Sequence, residues 1–368
     1  IKTGRWHVSG SSWDANDPNM PSPESFIRNV MLGQNFYKRE FGLKGVDVFL
    51  PDCFGFGWTL PTMAAHCGLI GFSTQKLMHQ TSPYRNGQPI PPFNIGFWEG
   101  IDGSRIMAAP NAREYYVDWD GSDLSHHPGL IAMADSSPIK TAYHYYGIGD
   151  RGGSPDIESA RSVALGVRGD GPVQIISAAS DQLFCDYLPF EAHPELPVYS
   201  GEMLMDIHAT GCYTSQAAMK LYNRKNELLA DAAEKSAVMA DWLGGFDYPG
   251  ASLTEAWQRF VWHQFHDDLT GTSIDRAYEF SWNDELLSQQ QFAGVLTTAT
   301  GAVARGLDTR VKGTPIVVYN AVSEPVADVV EVTVPMSREP RGVTVYDGKG
   351  RPVPTQLLGY RDGKATLL

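Results

Sequence analysis

The spacing of apolar and polar positions predicts alternating helices and strands in the first half of the chain. Residues 23–42 have apolar positions at helical spacing, and residues 46–50 form a short apolar run that Pro51 ends. These patterns predict an amphipathic helix followed by a buried strand. A hairpin is predicted over residues 97–106, with the turn at Asp102-Gly103. A further short strand is predicted at residues 173–177. Helix, strand and then a polar turn is the order expected of a β/α fold.

The pattern changes to long helices in the middle of the chain. Residues 215–243 are rich in Ala, Leu, Lys and Glu and contain neither Gly nor Pro. Ser252 and Glu255 have the spacing of a capping box, which predicts a second helix that continues to about Gly271. A third helix is predicted from residue 274 to 305. Three helices with short connections favour a three-helix bundle.

The last segment has the pattern of β-structure. Strands are predicted at residues 315–320, 329–334 and 343–346, and Asp347-Gly348 is typical of a hairpin turn. The predicted fold class is therefore α/β, then α, then β. We assign residues 1–212 to a β/α-barrel-like catalytic domain, 213–308 to a three-helix bundle and 309–368 to the start of a β-sandwich domain.

Composition narrows the class of partner. The 368 residues suffice for two or three domains, and the 42% hydrophobic and 19% charged content is that of a folded globular protein. The 29 basic and 42 acidic residues give a net charge of −13, which disfavours nucleic acids and anionic membranes as partners. A neutral, polar substrate fits better. Nine Trp and sixteen Tyr could supply stacking platforms for sugars, or could belong to the core.

Targeting signals are uninformative. No run of about 18 apolar residues predicts a membrane-spanning helix. The four cysteines are far apart and form no CxxC pair, which argues against a zinc ribbon or a disulfide scaffold. Secreted, periplasmic and cytoplasmic locations all stay open, as does assembly into a homo-oligomer.

A carboxylate stands directly after the first predicted strand. Asp52 follows Pro51 in a turn rich in aromatic residues and glycine. Enzymes of β/α architecture place catalytic groups at the C-terminal tips of strands, which favours a catalytic Asp52. Aspartate is also common in turns because it bonds to nearby backbone, so position alone leaves a turn-capping role open.

Three motifs resemble those of the family 38 glycoside hydrolases, the retaining α-mannosidases. Residues 52–61, Asp-Cys-Phe-Gly-Phe-Gly-Trp-Thr-Leu-Pro, are similar to the family's nucleophile motif. Residues 147–155, Gly-Ile-Gly-Asp-Arg-Gly-Gly-Ser-Pro, resemble its glycine-rich loop, and residues 265–272, Phe-His-Asp-Asp-Leu-Thr-Gly-Thr, its metal-site motif. The three occur in the family's order. A fourth stretch, residues 201–208, resembles its Gly-Glu-x-x-x-Asp/Glu-x-His segment.

The resemblance implies a zinc-like divalent metal that holds two hydroxyls of a terminal mannose. Transferred by motif, Asp52 is both the nucleophile and a metal ligand, and His266 is a second ligand. Phe54 would line the sugar pocket and Asp267 would bind substrate hydroxyls. The implied activity is retaining exo-hydrolysis of α-linked mannose from glycans or oligosaccharides through a covalent mannosyl-aspartate.

A retaining mechanism also needs a carboxyl group that acts first as acid and then as base. Asp150 is our choice, because a carboxyl group on a glycine-rich loop could be partly desolvated and keep a raised pKa. Asp17 and Glu202 are possible substitutes that could also contact substrate. His208 is expected to contact substrate or support the site from behind, rather than to bind the metal directly.

The chain departs from the family pattern at one point. The family's other two metal ligands form a His-x-Asp on the first strand, and no His-x-Asp precedes Asp52 in this chain. We therefore expect a fragment that lacks this N-terminal strand. Two alternatives stay open: a metal-dependent carbohydrate deacetylase or other β/α-barrel hydrolase, and an inactive carbohydrate-binding paralogue.

Overall fold

Helices and strands alternate through the first two hundred residues of the computed structural model, which describes residues 1–79, 84–85, 88–206 and 208–368. The helices are α1 Pro23–Phe41, α2 Leu60–His66, α3 Pro128–Ser136, α4 Ile157–Gly166, α5 Gln182–Asp186, α6 Ala217–Trp242, α7 Gly250–Trp262 and α8 Asp275–Arg305. The strands up to residue 204 are β1 Asp47–Phe49, β2 Gly55–Phe56, β3 Gly71–Ser73, β4 Tyr84–Arg85, β5 Gln88–Pro89, β6 Gly96–Glu99, β7 Arg105–Ala109, β8 Val198–Ser200 and β9 Met203–Leu204. Those beyond are β10 Val332–Pro335, β11 Val345–Tyr346, β12 Pro352–Val353, β13 Leu357–Arg361 and β14 Lys364–Leu367.

The chain divides into two units, residues 1–230 with 250–293 and residues 231–249 with 294–368. The division does not follow the three domains assigned from the sequence, whose boundaries stay a prediction. No helix in the described part of the chain combines the length and the apolar character that a membrane span requires.

A mixed sheet forms the centre of the first unit. Its strand order is β1-β3-β7-β6-β8. Strands β1, β3 and β7 are parallel, β6 runs antiparallel to β7, and β8 is parallel to β6. Its strands carry the buried side chains of Val48, Phe72, Trp98 and Ile106. The predicted α/β class is thus confirmed, whereas closure into a barrel stays a prediction.

The parallel strands decide where the functional residues meet. The carboxyl ends of parallel strands lie at one edge of a sheet, and ligand sites of α/β proteins form there. The segments after β1, β3 and β7 carry Asp52, Lys76 and Tyr115, respectively. Residues far apart in sequence therefore converge at this edge.

Helix α1 agrees with its prediction because both of its ends have strong local signals. Ser22 accepts a hydrogen bond from the backbone N–H of Ser25, and Pro23 occupies the first turn. Gly42 ends the helix with φ of 70°, in the left-handed region that glycine adopts without strain. At Gly33, a Cβ atom would lie 2.3 Å from the carbonyl carbon of Ser12. Glycine is needed there so that the N-terminal loop can pack closely on the helix.

The three long predicted helices are all present, but α7 is shorter than expected. It ends at Trp262 rather than near Gly271, and residues 263–271 form turns. The helix begins at Gly250, so the Ser252–Glu255 pair lies inside it and is not a capping box. The early end has a tertiary cause: Phe265 forms a β-bridge with Asn16, which an α-helical residue could not do.

After residue 309 the sequence predicts three strands, whereas the structure has five, and their positions agree only in part. Strands β10, β14 and β13 form one antiparallel sheet around Val334, Ala365 and Leu367, and β11 pairs with β12 across the predicted Asp347-Gly348 turn. Residues 315–320 are not a strand, nor are residues 173–177 in the first unit. Both runs lack the neighbouring strand that an apolar β-pattern needs for its backbone hydrogen bonds. The β-sandwich remains a prediction.

Candidate active site

Asp52 lies half-buried at the carboxyl edge of the sheet, and its two oxygens have different partners. Oδ1 accepts hydrogen bonds from the Lys76 ammonium, at 2.5 Å, and from the Tyr115 hydroxyl. Oδ2 lies 3.2 Å from Nε2 of His266. One carboxylate thus connects the ends of three parallel strands with the turn that follows α7.

These partners keep the Asp52 carboxylate ionised. Burial by itself raises the pKa of Asp52, but hydrogen bonds from His266, Lys76 and Tyr115 outweigh burial and hold that pKa below its ordinary value. Charge-assisted hydrogen bonds favour the anion, which is the form that a nucleophile or a metal ligand needs.

His266 presents Nε2 to the carboxylates because its other nitrogen is already engaged. Nδ1 lies 3.1 Å from the carbonyl oxygen of Ala15, which also accepts the backbone N–H of His266 at 3.1 Å. A carbonyl can only accept, so Nδ1 carries the proton and donates it. In the neutral ring, the Nε2 lone pair is then directed at Asp52 and at Asp267, whose Oδ2 is 3.7 Å away.

The site can be satisfied by a proton or by a cation at Nε2. Burial lowers the pKa of His266, yet the hydrogen bond to Asp52 and the charge of Asp267 more than compensate and raise it. Two carboxylates facing one imidazole nitrogen favour positive charge between them, whichever species supplies it.

Asp52, His266 and Asp267 fit a divalent metal. Each offers one ligand atom, and the three atoms lie within 4.8 Å of one another, the one such group found among the described residues. One imidazole nitrogen and two carboxylate oxygens are donors that zinc accepts. The Nδ1–H bond from His266 to a backbone carbonyl is the support that metal-binding histidines usually have. Asp267 was predicted to contact substrate hydroxyls, which stays a prediction, and its position also fits that of a metal ligand.

A loop near the N-terminus holds this histidine in place. Asn16 pairs with Phe265, and the backbone N–H of Asp17 donates to the carbonyl of Gln264 at 2.8 Å. The Asp17 side chain is fully buried, and burial raises its pKa. Its carboxylate accepts from the backbone of Met20 at 2.8 Å and from the Tyr213 hydroxyl at 2.9 Å. These bonds give Asp17 a role in fixing the loop, and its contact with substrate stays a prediction.

Phe54 forms an apolar wall of the site. Its side chain is buried, and the ring centroid lies 6.3 Å from that of His266 in an edge-on arrangement. The Lys76 ammonium lies 4.8 Å from the same ring, within cation–π range. The predicted pocket-lining role is compatible with this position.

The Asp150 loop is attached to the site through two consecutive tyrosines. Tyr116 forms a β-bridge with Ile148, and the backbone N–H of Gly149 donates to the Tyr115 carbonyl at 2.7 Å. The Tyr116 hydroxyl donates to Oδ2 of Asp150 at 3.1 Å, while Tyr115 donates to Asp52. The Asp150 side chain is exposed, so the expectation of a partly desolvated carboxyl group is wrong for this structure. Its backbone has φ of 64°, a strained conformation for a residue other than glycine.

Glu202 and His208 are outside the group of side chains that could hold a metal ion, which comprises Asp52, His266 and Asp267. Both side chains are exposed. Glu202 directly precedes β9, which pairs with β2 in the turn after Asp52, so it lies on a segment attached to the site. Substrate contact by either residue stays a prediction.

Lys76 and Tyr115 are the site residues that sequence reasoning did not assign. Each follows a strand of the parallel part of the sheet, as Asp52 does. A polar residue after a short buried strand was therefore an available signal. Nothing local, however, shows that the three strands are neighbours in the order β1-β3-β7.

A second group of polar residues lies beside the turn that carries His266 and Asp267. His263 contacts Asp268 at 2.6 Å and Asp284 at 3.3 Å, and the Ser281 hydroxyl donates to Asp268 at 2.9 Å. These contacts join residues 263–268 to α8. They fix the conformation of the turn that presents His266.

Comparison with known proteins gives consistent results. The profile of the "Glycosyl hydrolases family 38 N-terminal domain" matches residues 1–202, and that of the "Alpha mannosidase middle domain" matches residues 208–299. Alpha-mannosidase G of Dictyostelium discoideum is 33% identical over 284 residues, which cover 76% of this chain and 25% of that protein. Alpha-mannosidase 2C1 of Homo sapiens is 32% identical over 281 residues, which cover 75% of this chain and 26% of that protein.

The fold comparison agrees. The crystal structure of an alpha-mannosidase from Enterococcus faecalis V583 has a TM-score of 0.72 and 18% identity, covering 97% of this chain and 44% of that chain. At that identity the likeness concerns the fold alone. The chain spans about a quarter of the length of the curated relatives it matches. With the N-terminal domain profile covering more than half of its residues, the chain belongs to glycosyl hydrolase family 38.

Proposed function

We propose that this chain supplies the catalytic residues of a retaining exo-α-mannosidase that removes terminal α-linked mannose from glycans or oligosaccharides. The observation that carries the proposal is the set of contacts of the Asp52 carboxylate, with Lys76 and Tyr115 on one oxygen and His266 on the other. Relatives named alpha-mannosidases, at about a third identity, support mannose as the sugar.

In the first step, Asp52 attacks the anomeric carbon of mannose. Oδ1 is the oxygen we assign to attack, because Oδ2 lies on the side of His266 and Asp267. The bond from the anomeric carbon to the glycosidic oxygen breaks, and Asp150 gives its proton to that oxygen. The Lys76 ammonium and the Tyr115 hydroxyl orient the carboxylate before attack.

In the second step, Asp150, now a carboxylate, takes a proton from water. The water oxygen attacks the anomeric carbon from the opposite face and displaces Asp52, so the configuration is retained overall. The exposed position of Asp150 allows water to reach it once the leaving sugar has gone. Its hydrogen bond from Tyr116 keeps the side chain oriented through both steps.

Zinc or a similar divalent cation would be held by Asp52, His266 and Asp267, and when bound it would supply positive charge to bind sugar hydroxyls and polarise the substrate. The buried ring of Phe54 excludes water from one side of these three side chains. Tyr213 and Asn19 secure the turn after Asp52, with Asn19 donating to the Gly55 carbonyl at 2.8 Å.

Removal of His266 should weaken metal binding. We expect His266→Ala to lower zinc affinity by at least about 10-fold, because a ligand is lost whose orientation the fold fixes in advance. Equilibrium dialysis with metal analysis of the complete protein that carries this chain measures the effect. His193→Ala is the matched control, since that histidine contacts Glu195 and is outside the group. Unchanged zinc affinity in His266→Ala would remove His266 from the ligand set.

The proposed function is tested by trapping the covalent intermediate. A 5-fluoro mannosyl fluoride slows the second step more than the first, so a retaining enzyme accumulates a fluoromannosyl adduct. Mass spectrometry of a digest of the complete protein should find the adduct on the peptide that contains Asp52. A deacetylase or a binding protein would form no adduct, and absence of labelling in a catalytically active preparation would refute the nucleophile.

A further inference from the structure

A cavity of about 300 Å³ lies beside the loop that carries the proposed acid/base. Residues between 113 and 144 line it, among them Arg113, Glu114, Tyr116, Trp119, His127 and His144. Its volume is at the lower end of the range for small-molecule sites, which is the size for one sugar ring rather than a branched glycan. The cavity lining includes none of the residues around the proposed nucleophile, namely Asp52, Lys76, Tyr115, His266 and Asp267.

Tyr116 connects the cavity to Asp150. The tyrosine lines the cavity, and its hydroxyl donates to Oδ2 of Asp150 at 3.1 Å. Its neighbour Tyr115 donates instead to Asp52. The two residues therefore separate two regions: Tyr115 contacts the nucleophile, and Tyr116 contacts both the acid/base and the cavity.

The lining has the chemistry of a sugar subsite. The Trp119 indole is stacked on Tyr146 with a centroid distance of 5.2 Å and an interplanar angle of 6°. Such a pair is a rigid aromatic surface, with which the C–H face of a pyranose can pack. His144 and Glu114, 3.6 Å apart, offer polar groups for hydroxyls. Charges of both signs make the cavity unsuitable for an apolar tail or a phosphate.

Backbone strain accompanies these residues. Arg113 has φ of 71° and Asp150 has φ of 64°, both in the left-handed region that residues other than glycine avoid. Strained residues persist where the surrounding structure forces their conformation, often at ligand sites. The two strained positions are at the cavity wall and at the acid/base.

We propose that this cavity is the subsite for the leaving sugar, the residue on the reducing side of the cleaved bond, with Trp119 as its stacking platform. The inference rests on the proposed function, in which Asp150 protonates the glycosidic oxygen. The sugar attached to that oxygen must lie on the Asp150 side of the bond, and Tyr116, which contacts Asp150, forms part of the cavity wall. A neutral hexose of the substrate glycan is the chemical class that fits.

The test compares two substrates that differ only in their leaving group. Mannobiose places a sugar in the subsite, whereas α-mannosyl fluoride releases fluoride and leaves it empty. In the complete protein, we expect Trp119→Ala to lower kcat/KM for mannobiose about 10-fold or more and to change that for α-mannosyl fluoride less than about 2-fold, since one stacking contact contributes a factor of this size. Trp119→Phe, which keeps a ring, should recover most of the loss.

Controls keep the outcomes separate. Trp242 lies on α6 and is 83% exposed, so Trp242→Ala should leave kcat/KM unchanged for both substrates. Equal losses by Trp119→Ala on both substrates, or no loss on mannobiose, would overturn the subsite while leaving the proposed function in place. A wild-type protein that hydrolyses neither substrate would overturn the proposed function and the subsite with it.

Discussion

Replacing Asp52 with alanine is expected to lower kcat/KM for α-mannosides by more than about 10³-fold. The substitution removes the attacking oxygen and one of the three proposed metal-binding groups, and each contribution lowers the barrier by several kcal/mol. The loss should be similar for activated and unactivated substrates, because the nucleophile acts whatever the leaving group is.

The measurement needs a check on folding, because Asp52 is the partner of the buried Lys76. Asp52→Asn keeps the shape and the hydrogen bond from Lys76, and it should be as inactive as Asp52→Ala while its Tm stays closer to that of the wild type. Asp102→Asn is the matched control: Asp102 accepts from the backbone N–H of Ser104 in the β6–β7 turn, as predicted, and should keep full activity. A folded Asp52→Ala protein with a tenth of the wild-type rate would exclude Asp52 as the nucleophile.

Replacing Asp150 with alanine is expected to have an effect that depends on the leaving group. A poor leaving group such as a sugar needs protonation, whereas an activated aryl group departs as an anion. We therefore expect a loss of about 10²–10⁴-fold in kcat/KM for mannobiose and a much smaller one for an aryl mannoside. Added azide should raise the rate with the aryl substrate, because it attacks the covalent intermediate without general base assistance.

The control for this experiment is a surface carboxylate without a catalytic neighbour. Asp170 is fully exposed, and its carboxylate lies 3.8 Å from His126, which is not a site residue. Asp170→Ala should therefore leave kcat/KM unchanged for both substrates. If Asp150→Ala lowers kcat/KM equally for both substrates and azide has no effect, another carboxylate supplies the proton. Glu202, on the segment that pairs with the turn after Asp52, is then the next candidate.

The sequence predicted the elements whose signals are local. Helix α1 has a serine cap, an early proline and a terminal glycine within its own residues. The hairpin of β6 and β7 follows from one Asp-Gly turn between apolar runs. Asp52 could be placed after a strand, and the resemblance to a known family paired it with His266; the structure brings the two side chains within 3.2 Å, with His266 in a turn rather than in the predicted helix.

The tertiary structure decided how those elements combine. The end of α7 depends on a bridge to Asn16, some 250 positions earlier in the chain. The exposure of Asp150 depends on where Tyr116 holds its loop. The apolar runs at 173–177 and 315–320 do not form strands, because no neighbouring strand in the described part of the chain pairs with them, and the sequence alone does not show this. Each of these features depends on long-range contacts.

Sequence by itself therefore determined the family, the α/β character, the principal helices and two motif residues of the candidate site. Only the tertiary structure showed that Lys76 and Tyr115 share the Asp52 carboxylate, that Asp267 lies with Asp52 and His266 in a group that could hold a metal ion, and that a cavity is lined by Tyr116, which contacts Asp150. The physical reason is that helix caps and turns are satisfied by residues a few positions apart. A carboxylate at a sheet edge is satisfied by whichever strands lie beside its own, and that order is set by packing of the whole core.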